Sequence, residues 1–397
     1  MGTLFAWMAV SAVAAQTQPQ DQSQSQPQTQ PQAAPQDSGK PRQEAPAEAG
    51  GPTDNVGPYA IPKKSETDAP PPPRMTAPKK VEGMPDYSIR VNAPLVNVDV
   101  MVTANKNGQF ITGLHKENFR VFEDGQPQDV RNFNVSQAPI TAVLLTEFAS
   151  TNYVFMIQAL QASYAFVNTL KKEDWVAVEY YDMNPHILVD FTQDKRALYG
   201  ALNQLRMPGF AETNLFDALY DTLDRLDRVE GKKYIILVTT GVDTFSKLTL
   251  DKIMKKVKDT KDVTIFPVSV GFIVREYCEV HQCGYTHGFG IPVGRMDYLQ
   301  ADNEMKTFAA MTGGRAYFPR FEGELPELFG DISQDIRNQY SLSYQPTNTK
   351  LDGTYRKLKV QLVAPDGGPL KIKDQKGKDV KVDVYARDGY TAKHTVD

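Results

Sequence analysis

The sequence predicts an α/β domain built on a mostly parallel sheet, joined to a β-sandwich-like domain made from the two segments that flank it. Three observations carry that prediction. Between Ile140 and Ile336, short continuously apolar runs alternate with stretches of helical spacing, the pattern of strands buried on both faces and the helices that cover them. On either side lie short runs with apolar residues at alternate positions, separated by polar turns, as in half-buried strands. Neither flank holds enough strands to close a core alone, so the two are expected to pair.

The chain opens with MGTLFAWMAVSAVAA, almost wholly apolar, with Val13 and Ala15 placed as a signal-peptidase site requires. Residues 1–15 are therefore read as an export signal, although they lack the usual Lys or Arg. Fifteen residues are too few to span a bilayer, which takes about twenty apolar residues. From Gln16 to Asn55 there is no Val, Ile, Leu, Met or aromatic residue, so nothing offsets the entropy of ordering the chain. Residues 16–86 are read as a disordered Gln/Pro-rich linker, stiffened by Pro70 to Pro73.

An N-terminal β segment is expected over 87–137. Leu95, Val96, Val98, Val100 and Val102 nearly alternate, and Phe119, Val121 and Phe122 end at the turn Glu123-Asp124-Gly125. The α/β domain is expected over 138–338. Its strands are Thr141 to Leu145, Trp175 to Tyr181, Tyr234 to Val238, Val263 to Val270 and the short Ala316 to Phe318. Its helices are Tyr153 to Leu170, Lys195 to Leu205, Leu215 to Leu226, Leu250 to Val257, Asn303 to Met311 and Glu324 to Ile336. The C-terminal β segment, 339–392, holds Ser341 to Tyr344, then Leu358, Val360 and Leu362, then Val380, Val382 and Val384. Turns at Asp352-Gly353 and Asp366-Gly367-Gly368 divide them.

A chain of 397 residues with 44 basic against 48 acidic side chains and a net charge of -4 has no electrostatic footprint for nucleic acid or an anionic membrane. With only two cysteines it is no disulfide-dense scaffold. The motifs GxSxG, HExxH and the P-loop do not occur in it. His115, His186 and His394 stand isolated, and Asp217, Asp221 and Asp224 form a helix stripe read as a solvated face.

In an open α/β sheet the ligand site lies beyond the carboxyl ends of the central strands. The segments there read TEFAST, AETNLFDAL and TTGVDTFS. Their order, with FRVFEDGQPQDVRNF before them and YSLSYQPTN and ARDGYTA after, resembles the bacterial VWFA-related family, in which β segments flank a von Willebrand factor type A domain. The resemblance runs from about Val91 to Tyr390 and implies a Rossmann-like sheet, a binding role and no catalytic residues. Asp388 departs from a stretch that is basic in the family.

The family's metal-ion-dependent adhesion site uses an Asp, two hydroxyl residues, a Thr and a second Asp to hold a hard cation among oxygens. Matched by position, Glu147 stands for the first Asp, Ala149 and Thr151 for the hydroxyl pair, Thr213 for the Thr and Thr240 for the second Asp. Only Thr213 is unchanged. Glu212 and Asp243 lie in the same loops and could compensate in part. No cofactor is expected. If Mg²⁺ or Mn²⁺ binds at all, Glu147, Thr151 and Thr213 are the residues left to hold it.

Phe272 to Leu299 reads as a mobile insertion carrying Cys278, His281, Cys283 and His287, with Gly288, Gly290 and Gly294. In an exported chain Cys278 and Cys283 are read as a disulfide, with zinc as the other reading. The expected function is an exported, non-enzymatic module that binds a protein partner through Glu147, Ala149, Thr151, Thr213, Thr240 and Asp243. The alternatives are a zinc- or thiol-dependent enzyme using the insertion, and a structural envelope component.

Overall fold

The computed structural model describes residues 95–392, apart from 107, 137–138, 150–159, 161–162, 207–211, 282–292 and 374–375. The expected export signal, the expected linker, the first residues of the N-terminal β segment, Thr151, Cys283, His287, Gly288 and Gly290 lie outside the described residues, as does the start of the helix expected from Tyr153.

The N-terminal flank forms β1 (Val96–Ala104), β2 (Phe119–Glu123), β3 (Gln126–Gln128) and β4 (Val130–Ser136). The β2–β3 hairpin turns on Asp124 and Gly125, both at positive φ (49° and 82°). That is the geometry of a turn matching the strand twist, and glycine adopts it without a side-chain penalty. The α/β domain follows with β5 (Thr141–Glu147), β6 (Trp175–Tyr181), β7 (Pro185–Thr192), α1 (Lys195–Leu202), α2 (Leu215–Leu226), β8 (Lys233–Thr239), α3 (Leu250–Asp259), β9 (Val263–Ser269), α4 (Gly271–His281), α5 (Arg295–Thr312) and α6 (Leu325–Arg337). The C-terminal flank supplies β10 (Gln339–Tyr344), β11 (Tyr355–Leu362), β12 (Ile372–Lys373), β13 (Asp379–Val380), β14 (Val382–Ala386) and β15 (Gly389–Thr391).

The central sheet has the order β7-β6-β5-β8-β9, parallel except for β7. Every residue of β5 and of β8 is buried, which is why both read as unbroken apolar runs. Along β5, Ala142 and Leu144 face a core shared with Leu198, Phe329 and Ile332, while Val143 and Leu145 face one shared with Leu219, Ile253 and Phe308. Helices thus cover both faces.

The flanks form two four-stranded sheets, β14-β1-β10-β4 and β15-β11-β2-β3. Each mixes strands from both ends of the chain, so the pairing expected from the sequence is present. Between the sheets Val98, Val100, Tyr340 and Leu342 from one meet Phe119, Val121 and Leu358 from the other in a single core. Within the second sheet a buried ion pair joins β2 to β11, with Arg356 Nη1 3.1 Å from Glu123 Oε1 and both side chains 2% exposed. The Tyr344 and Tyr390 hydroxyls donate to Glu123 Oε2 at 2.6 and 2.9 Å.

The structure departs from the sequence reading in four places. Pro185–Thr192 is a strand, missed because it is the antiparallel edge strand, opens on a proline and has lost clean alternation through irregular pairing with β6. Ala316 to Phe318 contributes only a single bridge, Val268 to Tyr317. The two ends of the insertion expected from Phe272 are helical, in Gly271–His281 and Arg295–Thr312, while 282–292 lie outside the described residues. The acidic stripe of α2 is not simply solvated: Asp217 accepts from Lys247 N and Leu248 N, and Asp224 pairs with Lys256 of α3.

The seam between sandwich and α/β domain is polar as well as apolar. Met101 of β1 joins the core under the central sheet, and Lys232 Nζ reaches Asp99 Oδ1 at 2.5 Å and Ser341 Oγ at 2.7 Å. Arg315 stacks over Tyr317 and over Tyr385 of β14 and lies 3.8 Å from Asp335, whose Oδ2 accepts from Tyr317 at 2.5 Å.

Two stability predictions follow from these polar contacts. Truncating one partner of a buried ion pair strands the other charge. In urea unfolding, Arg356→Met is expected to cost about 3–5 kcal/mol, and the double change Glu123→Leu/Arg356→Met to recover much of that loss. The second concerns Asp335, whose carboxyl burial pushes up to about 6, with Tyr317 and Arg315 opposing and Asp331 assisting. A carboxyl raised in the folded state binds more protons than in the unfolded chain, so its contribution is full below the ordinary carboxylate range and is lost as pH rises through 6. Asp335→Asn should therefore gain on wild type by something on the order of 3 kcal/mol between pH 4 and pH 7. Parallel unfolding curves at the two pH values check this.

Candidate functional site

The order of strands reverses between β5 and β8, so their carboxyl ends open onto the switch point where such sheets receive ligands. β5 ends on Glu147, which is fully buried. Its carboxylate turns toward the end of β8. Oε2 accepts from Thr239 Oγ1 at 2.9 Å, Thr240 N at 2.7 Å and Thr240 Oγ1 at 2.9 Å, and the last hydroxyl also lies 3.0 Å from Oε1. Tyr181, at the end of β6, donates to Thr239 Oγ1 at 2.7 Å and lies 3.4 Å from Glu147 Oε2. Burial, and after it the charge of Glu147, hold the Tyr181 hydroxyl well above its ordinary pKa. It remains a donor. A chain of hydroxyls therefore feeds one buried carboxylate, and charge-assisted bonds of this kind are the strong ones.

The second loop is pinned to the third. Thr213 Oγ1 donates to Val242 O at 2.6 Å, Thr213 N to Thr244 Oγ1 at 2.9 Å, and Thr213 O accepts from Thr244 N and Phe245 N. Asn214 Nδ2 donates to Met183 O at 2.7 Å, tying the same loop to the β6–β7 turn. The first turn of α2 is satisfied from a distance, because Ser246 Oγ accepts from Phe216 N and Asp217 N, and Asp243 Oδ1 accepts from Ser246 Oγ at 2.5 Å and from Phe216 N at 3.3 Å. Close packing holds the floor: a side chain on Gly271 would place its Cβ 2.3 Å from Thr240 O, so only glycine fits there.

Of the six rim residues expected from the sequence, the structure places Glu147 and Thr240 in direct contact and Thr213 on the same hydrogen-bonded loop. Ala149 is fully buried just beyond Glu147 and offers no side-chain oxygen. Asp243 serves the start of α2, and burial raises its carboxyl above the ordinary range. Glu212 is buried beside Thr213. Sequence reasoning missed Tyr181 and Thr239, which face inward from strand ends and look like core residues, and Ser246, whose capping partner lies some thirty positions earlier in the chain.

Beside the rim lies a cleft of about 320 Å³, whose wall includes Val242, Asp243, Thr244, Asp297, Ala301 and Glu304. Burial raises the Glu304 carboxyl above its ordinary value, with the charge of Asp243 acting in the same direction. Phe245, at the outer edge of the third loop, is 45% exposed.

A Rossmann-like sheet with loops gathered at its switch point defines the class of the domain. The family is given by sequence: the model of the von Willebrand factor type A domain matches residues 149–284, and the α/β part of the chain is a domain of that family. Among solved structures, the chain is similar to a von Willebrand factor type A protein from Catenulispora acidiphila, with 13% identity, 65% of this chain and 73% of that one covered, and a TM-score of 0.39. The PilB minor pilin from Streptococcus sanguinis is similar at 11% identity, covering 51% of this chain and 62% of that one, with a TM-score of 0.38. The vWF domain of the type V pili tip protein Mfa5 from Porphyromonas gingivalis aligns at 15% identity over 50% of this chain and 95% of that one, with a TM-score of 0.34. No curated protein matches the chain. No helix among the described residues is long and apolar enough to cross a membrane.

The hydrogen-bond geometry predicts the weight of the threonine donor. Thr240→Val keeps the shape and removes one donor to a buried charge, and is expected to cost about 1.5–3 kcal/mol. Thermal unfolding of the variant measures it.

Proposed function

We propose that the chain is an exported, non-enzymatic module that binds a protein partner through the rim of its type A domain, and that this rim works without a metal ion. The observation that carries the reading is the engagement of Glu147 Oε2 by three donors from Thr239 and Thr240. A hard cation wants about six oxygens with lone pairs to give, most of its affinity coming from anionic ones. Here the carboxylate already accepts three donors at or below 2.9 Å, Ala149 supplies no oxygen, and the residue in the position of the second Asp is a hydroxyl that donates. The described residues of the rim do not fit Mg²⁺ or Mn²⁺. Thr213, the one unchanged position, spends its proton on a backbone carbonyl and so serves to fasten two loops.

A rim without a cation cannot capture a partner's carboxylate as a metal does. What this rim presents is an exposed aromatic at Phe245 beside a cleft bearing Asp243, Asp297 and Glu304. Among the described residues no basic side chain pairs with these three, so the partner group they suit is basic. Among the described residues of the rim there is no nucleophile and base set, which supports a binding role over an enzymatic one. The apolar first fifteen residues support export, and the linker 16–86, as a spacer, supports display of the folded part at an envelope surface.

Cross-linking from position 245 in the native cell tests the reading. Captured protein should be unchanged by EDTA and reduced at least tenfold by replacing Asp243 and Asp297 with Asn, with the mature chain starting at Gln16 in a non-cytoplasmic fraction. Micromolar Mg²⁺ or Mn²⁺ affinity in calorimetry, lost on Thr213→Ala, would overturn the metal-free rim. A chain retained in the cytoplasm with its first fifteen residues would overturn export.

A further inference from the structure

A second cleft, of about 270 Å³, lies at the seam between the β-sandwich and the α/β domain, by the segment from Lys258 to Asp262 that leads into β9. Since β8 and β9 run parallel, this is the amino edge of the sheet, across from the rim. Val96, Leu351 and Ala392 supply apolar wall, and Lys258, Lys261 and Arg387 supply positive charge.

Arg387 is the unusual group. Its Nε donates to Gly389 O at 2.8 Å and its Nη2 to Thr260 O at 3.2 Å, both backbone carbonyls. Among the described residues no carboxylate comes within ion-pairing distance of it. The acids of the neighbourhood are largely committed elsewhere: Asp388 accepts from the Tyr355 hydroxyl at 2.5 Å, Asp99 from Lys232 and Ser341, and Asp259 from Thr391. Asp262 is exposed on the wall of the cleft itself. Burial draws the Arg387 guanidinium below its ordinary pKa, against the charges of Tyr355, Asp262, Asp388 and Asp99. In the same wall Arg356 keeps a buried Nε with no hydrogen-bond partner. A half-buried guanidinium whose hydrogen bonds all go to neutral carbonyls, with the nearby carboxylates beyond ion-pairing distance, has room for a direct anionic partner, and a carboxylate in fork geometry is the group that best answers it.

We propose that this seam cleft binds a monocarboxylate carrying a short apolar chain, with the guanidinium of Arg387 taking the anionic end and Val96, Leu351 and Ala392 packing the rest. Asp259 and Asp262 in the lining limit the net positive charge, which favours a single negative charge over a phosphate. The volume suits one residue-sized group and not a drug-sized ligand. The C-terminal residue of a peptide and a free short-chain acid share this chemistry. The inference is independent of the reading of the rim.

Calorimetry on the full chain tests it with two probes, hexanoate and acetyl-Ala-Leu, each against its amide. At least one free acid should bind with a millimolar or tighter Kd, and its amide at least tenfold more weakly. Binding of hexanoate alone identifies a free acid as the ligand, and binding of the dipeptide alone identifies a peptide terminus. Arg387→Gln should abolish binding. Because Arg387 also ties Thr260 to Gly389, Leu351→Trp, which fills the cleft and leaves those bonds alone, should abolish it too. The proposal is overturned if neither acid binds, if an amide binds as tightly as its acid, or if Leu351→Trp binds as wild type does.

Discussion

The Glu123–Arg356 ion pair joins β2, before the α/β domain, to β11, after it, at the centre of a core that neither flank can build alone. The same dependence is written in the first sheet, where β10 lies between β1 and β4. The sandwich can close only when the α/β domain has brought its own two ends together. Its contacts are separated by more than two hundred positions, and loops of that length are costly to close before other structure forms. Folding of the α/β domain first removes most of that cost. The connection is also short: α6 ends at Arg337 and β10 begins at Gln339, and Gln339 Oε1 accepts from the Tyr234 hydroxyl of β8 at 3.3 Å. The sandwich is therefore anchored to the sheet whose other edge carries the rim.

At the rim, the same kind of problem is solved by neutral donors in place of a countercharge. A carboxylate at zero exposure needs compensation, and burying it unpaired would cost several kcal/mol. In the sandwich an arginine answers Glu123. At the switch point, two threonine hydroxyls and a backbone N–H answer Glu147. An aspartate at position 240 would bring a second negative charge against Glu147 and demand a cation between them. Threonine removes that demand, and on the proposed metal-free reading the Thr239-Thr240 pair matters more than the glutamate at 147.

The fold was legible because the two central strands β5 and β8 are buried on both faces and carry unbroken apolar runs at Ala142–Leu145 and Tyr234–Val238. Leu215 to Leu226 and Trp175 to Tyr181 could be read to the residue. Pairing of the flanks was legible from strand counting alone. What escaped were elements whose pattern is set by their neighbours. The edge strand Pro185–Thr192 is half-exposed with irregular register, and helix Gly271–His281 opens on a glycine and is rich in β-branched and aromatic residues, a composition that does not look like a helix. The rim positions were legible by matching loop to loop, and their roles were not. Asp243 resembled a spare metal ligand and is instead half of a cap for α2, because the orphan N–H groups of Phe216 and Asp217 find their acceptors thirty residues on. No local signal marks such a cap.

Composition gives a chain with nearly balanced charge, and the fold sorts that balance in space. Strand direction is the sorting device. At the carboxyl ends of the parallel strands gather Glu147, Glu212, Asp243 and, beside them, Asp297 and Glu304. At the amino edge by β9 stand Lys258, Lys261 and Arg387, offset in part by Asp259 and Asp262. A net charge of -4 therefore conceals an acidic end and a weakly basic one, and field at a cleft, not net charge, steers a ligand. The two proposed sites call for opposite partner chemistry: a basic group at the rim, an acidic one at the seam. A single extended ligand of one sign could not satisfy both. Each proposed partner is matched to the charge of the cleft it would enter, a property of where the fold places its side chains and not of the overall balance.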